Sequence, residues 1–175
     1  ITFVYVTHSQ SEAFAMADRV VIMGDGEIAQ VGKPRDIYRG PVNRFVAEFV
    51  GRNNIVTGKI ETVDKNNATI QTSTGIFTVA VTEAEKIQTG ADATFVIAAD
   101  LVRLTDTKPE AENVIVCSLI SEEFVGSVVT LFLESADGQE FKVQVQERHL
   151  AEIDLKTNGA LFLSWPSSSA HLLPI

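Results

Sequence analysis

The stretch that decides the fold is "EEFVGSVVTLFLESADGQEFKVQV", residues 122–145. Within it, the runs SVVTLFLES and EFKVQV are separated by the polar segment ADGQ. Val, Thr and Phe favour a pleated, half-buried backbone, and glycine in a short polar segment is typical of a turn between strands. This stretch therefore predicts β-strands joined by tight turns.

Runs of the same kind fill the rest of the chain after residue 52. Polar turns separate them, and none is long enough for a bilayer-spanning segment of roughly 18 apolar residues. The pattern predicts an all-β domain, either a barrel or a pair of small barrels. The other runs are IVTGKIETV, ATIQTS, GIFTVAV, ATFVIAADLVRL, NVIVCSLISEEF and GALFLSW.

This β-rich part also repeats itself. NIVTGKI, TGIFTVAV and TGADATFVIAADLVRL parallel NVIVCSLI, DGQEFKVQV and NGALFLSWPSSSAHLL, at an offset of about sixty residues. The parallel predicts two similar half-barrels.

Charge divides the chain near Gly51. Residues 1–52 hold six Lys/Arg and six Asp/Glu, whereas residues 53–175 hold eight and seventeen, a net charge of −9. A composition shift at "GRNNIVTGK" marks a domain boundary. We therefore assign residues 1–52 and 53–175 to different domains.

The first domain begins with "ITFVYV", a continuous apolar run typical of a strand buried on both faces of a parallel sheet. Ser9 and Glu12 have the spacing of a helix capping box. "VVIMGDGEIAQVG" predicts a hairpin around Gly24-Asp25-Gly26, and two short helices follow it. The first helix begins at Pro34 and the second ends before Gly51.

His8 follows the predicted central strand. The carboxyl end of such a strand is where open α/β sheets bind ligands, so His8 is a candidate binding residue. A histidine at this place can also serve only as a hydrogen-bonding turn residue, and spacing alone leaves both interpretations open.

Residues 1–54, and within them "YVTHSQSEAFAMADRVVIMGDGEIAQVGKPRDIYRGPVNRFVAEFVGRNN", resemble the end of the ATP-binding subunit of ABC importers for sugars, polyamines or ferric iron. The resemblance implies the end of an α/β P-loop motor domain in residues 1–52. His8 corresponds to the family's switch histidine, which implies a catalytic contact with the γ-phosphate of ATP. The family usually has aspartate where this chain has Ser9. Serine and aspartate are comparable helix caps, but an aspartate that orients the histidine would be lost.

Residues 53–175 are similar to the transport-associated OB-like (TOBE) domain that follows the motor domain in these importers. The fold class implied for the chain is thus an α+β fragment, in which the P-loop domain end precedes an all-β OB-like barrel built from two repeats. This family commonly has Arg-Pro-Glu where this chain has Ala98-Ala99-Asp100. A regulatory contact that needs that arginine is therefore not implied.

The resemblance implies ATP and Mg²⁺ as cofactors of the intact subunit. No G-x-x-x-x-G-K-[ST] phosphate loop or magnesium-binding Asp-Glu pair occurs in the chain, so we expect this fragment alone to bind neither and to be inactive. The implied partners are a second copy and the cytoplasmic face of two membrane subunits, with the subunit peripheral on the inner face of the plasma membrane and without direct lipid insertion. The solute stays open among polyamine, ferric iron and sugar, with polyamine slightly favoured.

A stand-alone OB-fold module for a small ligand or an oligonucleotide is the alternative function. Nucleic-acid binding is disfavoured because such modules need a basic groove with aromatic platforms, whereas this domain is acidic and its aromatic residues lie within alternating strands. A glycosidase-like role for Glu122 and Glu123 is weaker still, since adjacent strand residues point to opposite faces.

The remaining single residues have structural interpretations. The three histidines lack clustered metal-ligand spacing, and a single cysteine excludes an internal disulfide. We expect His149 to be exposed and His171 to lie in the last strand or tail. Cys117 is predicted to pack as a small apolar residue, and Trp165 to close the last strand.

Overall fold

The turn Gly24-Asp25-Gly26 joins the first two strands of the computed structural model, which describes residues 1–82, 84–155 and 160–174. Strands β1 (Val20–Gly24) and β2 (Glu27–Gly32) pair antiparallel. Asp25 and Gly26 have φ angles of 52° and 82°, as expected for a turn with two left-handed central residues. The predicted hairpin is confirmed.

Three short helices accompany this hairpin: α1 (Gln10–Met16), α2 (Pro34–Arg39) and α3 (Arg44–Phe49). Pro34 occupies the first turn of α2, where its missing N–H costs nothing, and α2 ends at Gly40. The Asn43 side chain caps α3 by accepting a hydrogen bond from the Val46 amide at 2.9 Å. Both predicted helices are confirmed. Their shared core with the hairpin consists of Val20, Ile22, Ile37, Val46 and Val50.

The prediction that "ITFVYV" is a buried central strand is wrong. Residues 1–7 form no strand, and Phe3 and Val6 expose 86% and 89% of their surface. A parallel strand needs neighbouring strands that accept its backbone hydrogen bonds. The described part of residues 1–51 offers only the β1–β2 hairpin, and the apolar run pairs with neither strand. The P-loop end of the predicted fold class is thus not formed as a sheet here.

Residues 52–173 form a second compact unit, separate from Ile1–Gly51. Its two five-stranded antiparallel sheets have the orders β12-β6-β3-β4-β5 and β7-β11-β8-β9-β10. The first sheet contains β3 (Asn53–Val63), β4 (Asn67–Gln71), β5 (Ile76–Ala80), β6 (Asp92–Ala98) and β12 (Ala170–Leu172). The second contains β7 (Arg103–Thr105), β8 (Asn113–Val125), β9 (Val128–Ser135), β10 (Glu140–Gln146) and β11 (Leu161–Trp165).

Short helices complete the unit. Helix α4 (Glu147–Leu150) follows β10. Single 3₁₀ turns lie at Ala84–Lys86, Ala99–Leu101 and Ser167–Ser169. The turn at Ala99–Leu101 splits the predicted run ATFVIAADLVRL into β6 and β7. The described residues are thus mostly β, with curled sheets of the OB type.

The two sheets repeat the same strand order. Each has a β-bulge at the same place, with Glu61 as the extra residue of β3 and Ile120 as that of β8. Each sheet takes four strands from one repeat and its fifth strand from the other, because β7 joins the second sheet and β12 joins the first. Neither repeat therefore completes a sheet alone. Asn158 and Gly159, which belong to the predicted second repeat, lie outside the described residues.

The core of this unit surrounds Trp165, which is 1% exposed. The Trp165 ring lies 5.2 Å from that of Phe77 and 6.4 Å from that of Phe141. Phe95 is also buried, whereas Phe132 and Phe162 are half-buried. Trp165 ends β11, so the prediction that it closes the last strand is wrong. That strand is β12, which contains His171 as predicted.

Candidate functional site

His8 lies in a bend between the extended N-terminal segment and α1, and its side chain is exposed. The turn around it is held by side chains. Thr7 Oγ1 donates a hydrogen bond to the Glu12 carboxylate at 2.8 Å and accepts one from the Ser9 amide at 3.0 Å. Tyr5 Oη also donates to Glu12, at 3.2 Å. These bonds fix the backbone on both sides of His8.

The capping box forms only in part. Ser9 Oγ accepts a hydrogen bond from the Glu12 amide at 3.4 Å, so Ser9 does cap α1. The Glu12 carboxylate does not reach back to the Ser9 amide, because Thr7 and Tyr5 hold it instead. The reciprocal half of the prediction is therefore wrong.

Helix α1 is anchored at its first residue. Gln10 Oε1 accepts a hydrogen bond from the Gly51 amide at 3.2 Å. Gly51 has a φ of +73°, and a Cβ there would lie 2.7 Å from the Tyr38 ring, so only glycine fits. Within the described chain we find no hydrogen bond of the His8 imidazole. His8 is thus an exposed imidazole on a tethered turn, able to donate or accept a hydrogen bond to an external group.

No metal site accompanies this histidine. Among residues 1–82, 84–155 and 160–174, no three His, Cys, Asp or Glu side chains come close enough together to hold a metal ion. His149 is exposed on α4, as predicted. Cys117 is 2% exposed, and this burial raises the pKa of its thiol to about 12, so it is neutral and inert.

Sequence reasoning missed two buried asparagines that join the repeats. Asn54 exchanges hydrogen bonds with the backbone of Lys142, donating to its carbonyl at 2.9 Å and accepting from its amide at 2.6 Å. Asn113 does the same with Thr78, at 2.9 and 2.7 Å. Each asparagine begins a repeat and holds the β10 or β5 edge of the other sheet. The sequence contains a signal for these two asparagines, because the repeated runs NIVTGKI and NVIVCSLI both start with Asn.

A further missed contact is the ion pair between Arg52 and Glu123. The guanidinium donates to both carboxylate oxygens, with Nη2 3.0 Å from Oε1. The hydrogen bond from Arg52 holds the pKa of Glu123 below its usual range. Glu122 is exposed as expected, but Glu123 is engaged in this pair and is not simply solvated. The two carboxylates thus do not form an acid–base pair.

The Ala98-Ala99-Asp100 segment lies at the end of β6 and in the following 3₁₀ turn. Ala98 and Ala99 are buried, and the Ala99 amide donates to the Arg52 carbonyl at 2.9 Å. Asp100 is exposed in the 3₁₀ turn.

Three comparisons place the chain among known proteins. The family model of the TOBE domain matches residues 85–173. The spermidine/putrescine import ATP-binding protein PotA of Rubrobacter xylanophilus is 30% identical over 174 residues, which is 99% of this chain and 45% of that protein. The protein of the same name from Mesorhizobium japonicum is 35% identical over 86% of this chain and 40% of its own length. The chain thus spans less than half the length of these two relatives.

A solved structure shares the fold. The cytoplasmic molybdate-binding protein ModG, crystallised with molybdate bound, superposes with a TM-score of 0.62 at 19% identity, covering 69% of this chain and 96% of ModG. At this identity the likeness concerns the OB-like fold alone. None of the helices in the described part of the chain is long and apolar enough to cross a membrane.

Proposed function

We propose that the chain is part of the ATP-hydrolysing subunit of an ABC importer. The chain belongs to the TOBE domain family, and it resembles an import ATP-binding protein along 99% of its length. The main support for this proposal is that the alignment with the Rubrobacter protein includes residues of both units of the chain. Residues 85–173, which the family model matches, lie within the β unit. This continuity supports the joined arrangement of a motor segment and an accessory domain.

In this proposal His8 is the catalytic residue of the motor segment. Hydrolysis of ATP depends on positioning the attacking water and stabilising charge on the γ-phosphate. The exposed imidazole, on a turn tied down by Thr7, Ser9 and Glu12, is suited to donate a hydrogen bond to that phosphate. ATP and Mg²⁺ need further ligands, and the described residues of this chain provide no cluster that fits Mg²⁺. His8 would therefore act on nucleotide bound mainly by other residues of the subunit.

The test is His8→Ala in an importer whose ATP-binding subunit includes this sequence. Loss of one preorganised donor is expected to lower ATP turnover by about 10²–10³-fold, by analogy with oxyanion-hole donors. ATP affinity should stay nearly constant, because many other contacts fix the nucleotide. Ser11→Ala is the matched control, since Ser11 is an exposed neighbour whose hydroxyl shares a hydrogen bond with Ser9 Oγ. Near-normal turnover of His8→Ala would mean that His8 is only a turn residue.

The β unit is proposed to hold two copies of the subunit together. Support comes from its longest hairpin, β8–β9, whose tip exposes 63% of Phe124 and 65% of Val125. Residues 1–6 are also mostly apolar and exposed, and they could pair copies instead. Light scattering on the whole chain and on a version lacking residues 1–7 separates the two routes. We expect both to be dimers, and a shortened chain that is monomeric at tens of micromolar would contradict the role of the β unit.

The remaining proposals concern the whole transporter. The subunit would lie in the cytoplasm, docked on the inner face of membrane subunits. The solute would be a polyamine, because the two relatives carry the words spermidine/putrescine import in their names. Uptake of labelled spermidine by cells that carry or lack the subunit tests this. Equal uptake in both, with loss of sugar or iron uptake, would reassign the solute.

A further inference from the structure

The Thr7 hydroxyl makes two hydrogen bonds that enclose His8. It accepts one from the Ser9 amide at 3.0 Å and donates one to the Glu12 carboxylate at 2.8 Å. The first bond closes a three-residue turn with His8 in the middle, in which a threonine side chain takes the place of a backbone acceptor. A hydroxyl has a single proton, and Glu12 accepts it, so a lone pair of the oxygen is left for the Ser9 amide. The Thr7–Glu12 bond therefore sets the direction of the hydroxyl that holds this turn.

The Glu12 carboxylate ties the segment before His8 to the helix after it. Glu12 lies in the first turn of α1, and its amide donates to Ser9 Oγ at 3.4 Å. Its carboxylate oxygen Oε2 accepts from Thr7 and also from Tyr5 Oη, at 3.2 Å. Hydrogen bonds to a carboxylate are roughly twice as strong as those between neutral groups. One acidic side chain thus holds both hydroxyls that precede the histidine.

Ser9 does not supply this function itself. It stands where the resembling family usually has an aspartate, and it carries no negative charge. Ser9 Oγ accepts from the Glu12 amide and shares a hydrogen bond with Ser11 Oγ, and neither bond involves the His8 imidazole. Glu12 is the single acidic residue of residues 1–17. The carboxylate that orders this turn therefore comes from the helix and acts through Thr7.

We propose that Thr7 and Glu12 are positioning residues for catalysis by His8. The inference rests on the proposed function, in which His8 donates a hydrogen bond to the γ-phosphate. Thr7 holds the peptide group that follows His8, and Glu12 holds Thr7. Without these bonds the imidazole samples more directions, and a smaller fraction of them places the donor at the phosphate. Nucleotide affinity depends on other residues, so the loss should be in turnover.

The first test uses the ¹⁵N-labelled chain and the Ser9 amide. The chemical shift of a hydrogen-bonded amide proton changes little with temperature, and we expect this of Ser9. Thr7→Val removes the acceptor and should make the dependence large, whereas Thr7→Ser keeps the hydroxyl and should keep it small. Thr57→Val is the matched control, because it makes the same substitution at an exposed residue of β3. An unchanged Ser9 amide in Thr7→Val would overturn the proposal, provided that a dispersed spectrum shows the variant to be folded.

The second test measures ATP turnover in an importer whose ATP-binding subunit includes this sequence. Thr7→Val should lower kcat by about five- to tenfold, the size expected for the loss of one hydrogen bond, and leave KM for ATP unchanged. Thr7→Ser should restore turnover. Glu12→Ala should act like Thr7→Val, while Glu12→Gln keeps an acceptor oxygen and should lose less. In a His8→Ala background, Thr7→Val should have no further effect, because a positioning residue acts only through the group that it positions.

These measurements separate the positioning proposal from the proposed function. Near-normal turnover of His8→Ala would refute catalysis by His8, and the positioning proposal with it. A large loss for His8→Ala with normal turnover of Thr7→Val would overturn the positioning proposal alone. A raised KM with unchanged kcat in Thr7→Val would also overturn it. The same holds if Thr7→Val lowers turnover equally with and without His8, since Thr7 would then act on the fold of the subunit.

Discussion

Replacing Asn113 by alanine tests whether buried asparagines join the two repeats. Asn113 is 1% exposed, and its side-chain amide satisfies both the amide and the carbonyl of Thr78 on the β5 edge. Alanine removes both hydrogen bonds and leaves the Thr78 backbone groups without a partner.

The expected loss follows from the local burial. An intramolecular hydrogen bond contributes about 1 kcal/mol net, and a buried group left unpaired costs about 1–3 kcal/mol. Thr78 is half-buried, so water can reach part of its backbone and the lower part of that range applies. We expect Asn113→Ala to lower the free energy of unfolding by about 2–4 kcal/mol, out of a total typical of single domains of about 5–15 kcal/mol.

Urea unfolding followed by the fluorescence of Trp165 measures this change. Trp165 is the single tryptophan of the chain and lies in the core of the β unit, so its signal reports that unit. Far-UV circular dichroism provides a second probe. Asn66→Ala is the matched control, because Asn66 lies on an exposed turn and its loss should cost no more than about 0.5 kcal/mol.

Asn54→Ala should behave like Asn113→Ala, because Asn54 makes the equivalent bonds to Lys142. The two asparagines share no partner, so the double variant should lose about the sum of the single losses. A loss for Asn113→Ala no larger than that of the Asn66 control would refute the reasoning. The repeats would then be held mainly by the apolar core and by the exchanged strands β7 and β12.

Further predictions concern Gly58, Cys117 and Glu123. A Cβ on Gly58 would lie 2.3 Å from the Gln71 carbonyl oxygen, so Gly58→Ala should cost at least about 2 kcal/mol in the same urea assay, and an unchanged midpoint would contradict the packing. Burial raises the pKa of the Cys117 thiol to about 12, so a thiol reagent at pH 8 should modify it only when the chain unfolds; rapid modification of the native chain would show that the strand opens. The Arg52 hydrogen bond lowers the pKa of Glu123 from 4.5 in the folded state, so its stabilising contribution is complete above that value and lost as the pH falls through the folded-state pKa. Glu123→Gln should therefore shift the urea midpoint at pH 7 and hardly at pH 3, and an equal shift at both would rule out the ion pair as the cause.

Local features of this fold could be predicted from the sequence because they depend on neighbouring residues. Gly26 marked the β1–β2 turn, Pro34 the start of α2, and Ser9 the cap of α1. Alternating apolar residues marked the strands of the β unit, and the repeated pattern marked its two halves. Each of these signals acts over a few residues, through backbone geometry or through the periodicity of one strand.

The resemblance predicts His8 as a catalytic residue, but the sequence did not predict the surroundings that the structure gives it. Residues 1–7 lie outside any sheet, whereas their composition alone is typical of a buried strand. A strand is stable only when other strands accept its hydrogen bonds, and that is a property of the tertiary structure. The Glu12 carboxylate likewise could accept a hydrogen bond from the Ser9 amide or from nearby hydroxyls. The positions of Tyr5 and Thr7 in the structure make their hydroxyls the donors.

The sequence by itself predicted that residues 53–175 form strands in two similar halves, and each of the two repeated patterns begins with an asparagine. Only the tertiary structure decided that β7 and β12 exchange between the halves, and that Asn54 and Asn113 bond the opposite edge strands. The physical reason is the separation along the chain between the residues that interact. Alternation states which face of a strand is buried, but the strand beside it is chosen by packing and hydrogen bonding between residues far apart in the chain.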